Sequence, residues 1–152
     1  MTVTISLAEL PSAAGRTLGV SDWFLIDQRR IDLFAEATGD HQWIHTDPVR
    51  AAMSTPGRTI AHGLLTLAAI PALSETVWTV TGVSRRINAG SDRVRLVHPV
   101  PAGCPIRSTV SVRSVESRPS GIRVNTGHCV TSQIDEQEIV VAVAEFLTIY
   151  IP

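Results

Sequence analysis

Lysine is missing from the chain: all thirteen basic residues among its 152 positions are arginine. That removes the amine needed for Schiff-base chemistry and the phosphate-holding lysine of a P-loop. A compositional bias of the source accounts for the absence equally well. Cysteine is scarce too. Cys104 and Cys129 are the only two and form no CxxC pair, which reads as two reduced thiols serving as small core residues. Neither sign of charge dominates, and a net charge of −1 gives no electrostatic hold on nucleic acid or on an anionic membrane. No apolar stretch approaches the length of about 18 residues that a membrane span requires. The first residues, MTVTISLAEL, have no basic segment followed by an apolar run, so a cytoplasmic location is expected. There is no internal repeat, no low-complexity segment and no Gly-x-Ser-x-Gly nucleophile motif. What is present, 44% apolar residues over this length, suits one globular domain spanning 1–152 with a sizeable core.

The most informative stretch runs from Phe34 to Leu65, FAEATGDHQWIHTDPVRAAMSTPGRTIAHGLL. Asp40 and His45 sit five residues apart in a loop opened by Gly39 and closed by Pro48, and a second turn-rich stretch, Ser54-Thr55-Pro56-Gly57, leads to His62-Gly63. Upstream, Ser6 and Glu9 stand at capping-box spacing ahead of a short helix, Ser6 to Ala14, limited by Pro11 and Gly15. Leu18 to Ile26 is compatible with strand. Asp27 offers an N-cap to a helix with Ile31, Phe34 and Ala35 on one face, and Gly39 ends it. Asp40 is thereby expected in a loop just past a helix C-terminus, where a side chain can be aimed at a ligand. Pro48 suits the first turn of a short helix reaching Met53.

From Gly63 to about Trp78 the chain is apolar on nearly every side, which predicts a helix enclosed by other structure. Pro71 in its interior removes one backbone bond, so a kink or break is expected there. From Val83 onward the period changes to two. Ile122, Val124, Val130 and Ile134 alternate with Arg123, Asn125, Thr131 and Gln133, and Val94 to Val97, Ile106 to Val115 and Ile139 to Ile151 are further strands. The last strand is apolar on both faces. An antiparallel sheet around one long apolar helix, α+β in class, with a partner chain covering the rest, is the architecture this pattern predicts.

At this point the residues carry a resemblance. Thr38-Gly39-Asp40, Ile44-His45-Thr46-Asp47 and Ala51 look like the hydratase motif of the MaoC-like (R)-specific enoyl-CoA hydratases. Ile60-Ala61-His62-Gly63-Leu64-Leu65-Thr66-Leu67 with Pro71 and Leu73, then Asn88 to Arg95 and Pro99-Val100-Pro101-Ala102-Gly103, resemble the NodN-like branch of that family. The resemblance implies a single hotdog fold, a homodimer, no cofactor, and reversible hydration of a trans-2-enoyl-CoA to the (R)-3-hydroxyacyl-CoA. It also implies that Asp40 and His45 are the catalytic pair and that the Gly63 amide binds the thioester oxygen. Where the family has Asn-Pro between the two, this chain has Gln42-Trp43, a longer amide and a bulky ring in place of a rigid turn.

The chemistry of the residues agrees. Hydration of an activated double bond needs one group to take a proton from water and a source of a proton for the α-carbon, and a carboxylate and an imidazole can divide those roles. Which of Asp40 and His45 faces the water is not fixed by spacing. Charge developing on the thioester oxygen can be met by an amide at a helix start, and glycine leaves that approach unobstructed.

Plainer roles stand beside these. Asp40 can satisfy turn donors, His45 can be a core-edge histidine, and His62 reads best as a hydrogen-bonding residue at the helix start. His41, His45, His62 and Asp47 can be counted as a metal cluster, but the breaks between them spoil any HxxxH helical face, and no metal is expected. His98 and His128 fall in strand candidates without a functional signal. Arg85, Arg86 and Arg93 can meet coenzyme A phosphates or form a solvated face. Two rival functions remain. A hotdog thioesterase uses an acidic residue on the central helix, where only Glu75 is available, and a non-catalytic acyl-binding subunit would lack the Asp and His that are present.

Overall fold

The computed structural model describes residues 2–152. A six-stranded sheet runs in the order β2 (Thr17–Val20), β6 (Cys104–Arg118), β7 (Gly121–Ile134), β8 (Gln137–Ile151) and β5 (Arg85–Leu96), with β3 (Phe24–Ile26) also pairing with β6. These pairings are all antiparallel. A separate parallel pair joins β1 (Val3–Ser6) to β4 (Trp78–Thr81). The helical elements are α1 (Gln28–Thr38), α2 (Trp43–Thr46), α3 (Pro48–Ala52), α4 (Gly63–Ala68) and α5 (Ile70–Val77). The antiparallel sheet with the 63–77 helix against it is the hotdog arrangement expected from the sequence.

The local signals act where they were read. Ser6 and Glu9 form the capping box, but the turn they start, Leu7–Ala13, is a 3-10 helix, because Pro11 inside it lacks the N–H of a regular α-helical ladder. The Asp27 side chain accepts from Arg30 N at 2.9 Å, and Gly39 closes α1 in the left-handed region at φ 80. The central helix breaks at Ala69. Pro71 then falls in the first turn of α5, where its missing N–H has no intrahelical partner to lose.

Two core clusters share the sheet. Ile70 and Leu73 pack on Ile106, Val130, Val141, Ala142, Ala144 and Phe146, while Val77 and Trp78 pack on Val110, Val112, Val124 and Tyr150. Within the single chain one side of the helix is open. Leu64, Ala68, Pro71 and Ala72 are exposed, and Ala and Pro on that side leave little apolar area in water. On β8 the even-numbered residues from Ala142 to Tyr150 turn to the helices, while Val143, Leu147 and Ile149 on the other face are half-buried. The strand with least cover is its neighbour β5, at the sheet edge, exposed at every position except a half-buried Val94.

His128, without a functional signal in the sequence, is buried in β7 between the Ser108 and Thr126 hydroxyls at 3.2 and 2.9 Å, with its ring edge-on to Phe146. Loss of solvation pushes its pKa down to about 4. The unfolded imidazole protonates near the ordinary 6.5 and the folded one only near 4, so the unfolded state binds more protons between these limits. Stability from the neutral imidazole is therefore complete above about 6.5 and is lost as pH falls toward 4, by about 3 kcal/mol at most. Urea midpoints at pH 7 and pH 5 for the wild type and His128→Gln check this: the acid-side loss should be smaller in the variant. His98, also expected in a strand, instead lies in the connection after β5, its Nδ1 at 2.7 Å from Pro99 O.

Candidate active site

The segment between α1 and α4 folds back so that Asp40, His45, His62 and Gly63 line one cleft of about 340 Å³ with Phe34, Thr38, Leu64 and Leu96. Asp40 follows the Gly39 cap directly. Its carboxylate accepts weakly from Gln42 N at 3.4 Å, and its side chain is exposed. Gln42-Trp43 does order the loop: Gln42 O accepts from His45 N at 2.9 Å, starting the short α2, and the Trp43 ring lies under the Arg50 guanidinium at 4.1 Å. Asp47 caps α3 through Arg50 N at 2.9 Å.

His45 is buried, 7% exposed, and its orientation is fixed by Ile60 O at 2.7 Å from Nδ1. A carbonyl can only accept, so Nδ1 carries the proton and Nε2 is left as a base. His62, 3% exposed, stacks on His45 with ring centroids 3.9 Å apart and donates from Nε2 to the Asp40 backbone oxygen at 2.9 Å. Its role at the helix start is thus the hydrogen-bonding one expected, and it also holds the Asp40 turn. Its Nδ1 is buried without a partner among the described residues. Phe34 tilts against its ring at 5.0 Å.

Gly63 opens α4, so its N–H has no intrahelical partner and points out of the helix start. Leu96 lies so close that a Cβ on residue 63 would stand 2.2 Å from its Cδ1. With the Leu96 side chain turned this way, a Cβ at 63 would have to push its tip aside.

Side-chain ligand atoms of Asp40, His45 and His62 lie within 4.8 Å of one another, a spacing that a cation or a shared water can fill. Two of the four ring nitrogens are already committed to backbone carbonyls. His41 and Asp47, counted with these from sequence, are not in the group. Glu75 lies on α5 in an ion pair with Arg86, outside the lining of this cleft, and Arg93 is held by Glu145 at 2.7 and 2.8 Å. Arg86 and Arg93 are thus paired with carboxylates, whereas Arg85 has no ion pair among the described residues. Gln28 and Thr59, silent in the sequence, support the site from behind: Gln28 Nε2 donates to His45 O at 2.8 Å, and Thr59 Oγ1 donates to Gln28 Oε1 at 2.5 Å.

Residues 9–134 match the family described as MaoC like domain. The chain is 44% identical over 146 residues to 3-hydroxyacyl-thioester dehydratase Z of Mycobacterium tuberculosis, covering 96% of each chain. It is 40% identical over 147 residues to nodulation protein N of Rhizobium leguminosarum bv. viciae, covering 95% of this chain and 91% of that one. Among solved structures, R-hydratase PhaJ1 from Pseudomonas aeruginosa superposes with a TM-score of 0.70 at 28% identity, over 92% of this chain and 84% of that one.

Proposed function

Because this chain belongs to the MaoC-like dehydratase family, we propose that it catalyses the reversible hydration of a trans-2-enoyl-CoA to the (R)-3-hydroxyacyl-CoA, with Asp40 and His45 as its catalytic pair. The observation that carries the reading is the convergence of the Asp40 carboxylate and the His45 ring in one cleft with the amide at the start of α4. A dehydratase acting on a 3-hydroxyacyl thioester, the activity in the mycobacterial relative's name, is the same reaction in reverse.

The tautomer of His45 supplies a direction. Its Nδ1–H is spent on Ile60 O, so Nε2 takes a proton from water as the water oxygen bonds to the β-carbon. Electrons move from the double bond toward the thioester oxygen, and the Gly63 N–H, at the positive end of α4, meets the charge that develops there. The imidazolium then returns its proton to the α-carbon, so that hydrogen and hydroxyl have both been added and the ring is neutral again. Asp40 holds the second hydrogen of the water and balances the transient charge on His45. No nicotinamide and no metal enters these steps.

The test is to mix the protein with crotonyl-CoA and follow loss of the conjugated enoyl absorbance, with and without a chelator, and to assign the product's configuration. Chelator-resistant formation of the (R) alcohol is expected. Release of free thiol would mark hydrolysis, and an (S) product or chelator-sensitive activity would sink the proposal. The homodimer belongs to the same reading. It is supported by the open edge of β5 with exposed Ile87 and Leu96, next to exposed Val97 and Leu64. Sedimentation at micromolar concentration should give twice the 16.4 kDa of the chain, and a folded monomer would remove this part.

A further inference from the structure

Gln28 is the first residue of α1 and does not line the cleft, yet each polar atom of its amide is engaged. Nε2 donates to His45 O and to Asp32 Oδ1, both at 2.8 Å, and Oε1 accepts from Thr59 Oγ1 at 2.5 Å. Two acceptors on one side and a hydroxyl donor on the other leave a single sensible placement of amide nitrogen and oxygen. The Gln28–Asp32 contact is an ordinary one-turn pair on a helix surface, worth a few tenths of a kcal/mol. The other two contacts are long-range and differ in kind. Thr59, 2% exposed, immediately precedes Ile60, whose carbonyl accepts the His45 Nδ1–H. One amide therefore grips the backbone that carries the imidazole and, through Thr59, the backbone that sets its tautomer. The backbone bond from Ile60 N to Ile44 O at 3.0 Å ties the same two segments but does not reach the ring.

We propose that Gln28 and Thr59 form a positioning clamp that keeps His45 in the Nδ1–H tautomer, with Nε2 directed at the water. The inference rests on the proton-transfer role given to His45 above. Neither residue lines the cleft, so both act through His45 and leave substrate contacts alone. A base displaced by about 1 Å can lose on the order of 100-fold in rate, because proton transfer tolerates little misalignment. Binding of the thioester does not depend on that alignment. The clamp therefore predicts a loss in kcat with KM nearly unchanged.

The variants are Gln28→Met and Thr59→Val, which keep volume and remove the hydrogen bonds, and Thr59→Ser, which keeps the hydroxyl. Steady-state hydration of crotonyl-CoA should show kcat lower by about 10–100-fold in the first two. Thr59→Ser should stay near wild type. The double variant Gln28→Met/Thr59→Val should be no worse than Gln28→Met alone, since that substitution already removes the bond that Thr59→Val removes. The ¹⁵N shifts of the His45 ring provide an arm that needs no turnover. The wild type should show one protonated Nδ1 and one unprotonated Nε2, and the first two variants should move both shifts toward a tautomer average. If melting temperature falls but kcat of the folded protein and the ring shifts do not move, Gln28 is a structural staple only and the clamp is wrong. A wild type without hydratase activity overturns the functional reading, and the ¹⁵N arm then decides the clamp alone.

Discussion

Asp40→Asn and His45→Ala should each lower kcat/KM for enoyl-CoA hydration by about 10²–10⁴-fold, the range for loss of a positioned acid or base. The double variant should be only slightly worse than the worse single. The reason is geometric: the ligand atoms of both side chains lie within 4.8 Å of each other, and in the proposed reaction both act on the same water. Removing the imidazole leaves Asp40 a water to orient but no base to receive its proton. Removing the carboxylate charge leaves His45 to become an imidazolium without a counter-charge. Residues that act as a unit lose most of their effect at the first deletion. The fold should tolerate Asp40→Asn well, because its carboxylate is exposed and makes one long bond to Gln42 N. His45→Ala is different, since it removes a ring stacked on His62 and bonded to Ile60 O. Melting curves on both variants separate lost stability from lost chemistry. Losses that multiply would mean independent roles, and near-native activity in His45→Ala would remove it from the mechanism.

How much of this was legible in the sequence depends on whether the information is local. The Asp27 cap, the Gly39 stop and the Pro71 break are set by a few neighbouring residues, and each lies where its chemistry requires. The same applies to the alternation along β7, where Val124, Val130 and Ile134 are buried and Arg123, Asn125 and Thr131 are half-buried. Three other features were not local. The helix looked enclosed because Ala68, Pro71 and Ala72 count as apolar, although on the structure they cover an outer face. Ile139 to Ile151 was expected to need cover on both faces, and Val143, Leu147 and Ile149 on its outer face are half-buried; the open edge of the sheet belongs to its neighbour β5, whose composition is polar. Strand order is a property of the sheet and leaves little trace in any single strand. Gln28 is silent for the same reason: its partners lie 17 and 31 residues away. Asp40 and His45 were visible because the turn residues around them mark a loop rich in titratable groups. The stacking of His62 on His45, and with it the arrangement of the cleft, needed the fold.

Gly63 gives the second large effect, and two substitutions separate what its nitrogen does from what its missing side chain does. Gly63→Ala keeps the N–H and adds a Cβ, which would stand 2.2 Å from Leu96 Cδ1. That contact is with the end of a side chain that is 53% exposed and can turn away, so a modest loss is expected. Gly63→Pro adds the same Cβ but removes the hydrogen, and the ring carbon that replaces it also keeps an oxygen from the nitrogen. The helix itself should accept the proline. Position 63 is the first of α4, where proline is at home, and His62 at φ −58 and ψ 133 already has the extended conformation that a following proline demands. The melting temperature of Gly63→Pro should therefore match or exceed that of Gly63→Ala. Its kcat should be lower by a further factor of about 10²–10³, the loss for one oxyanion donor. The change should fall on kcat more than on KM, because negative charge on the thioester oxygen grows only as the water adds. The measurement is kcat and KM for both variants on crotonyl-CoA, with melting curves as the control for folding. Equal rates for the alanine and proline variants would show that the amide of Gly63 takes no part, and the oxyanion would have to be met by another donor in the cleft.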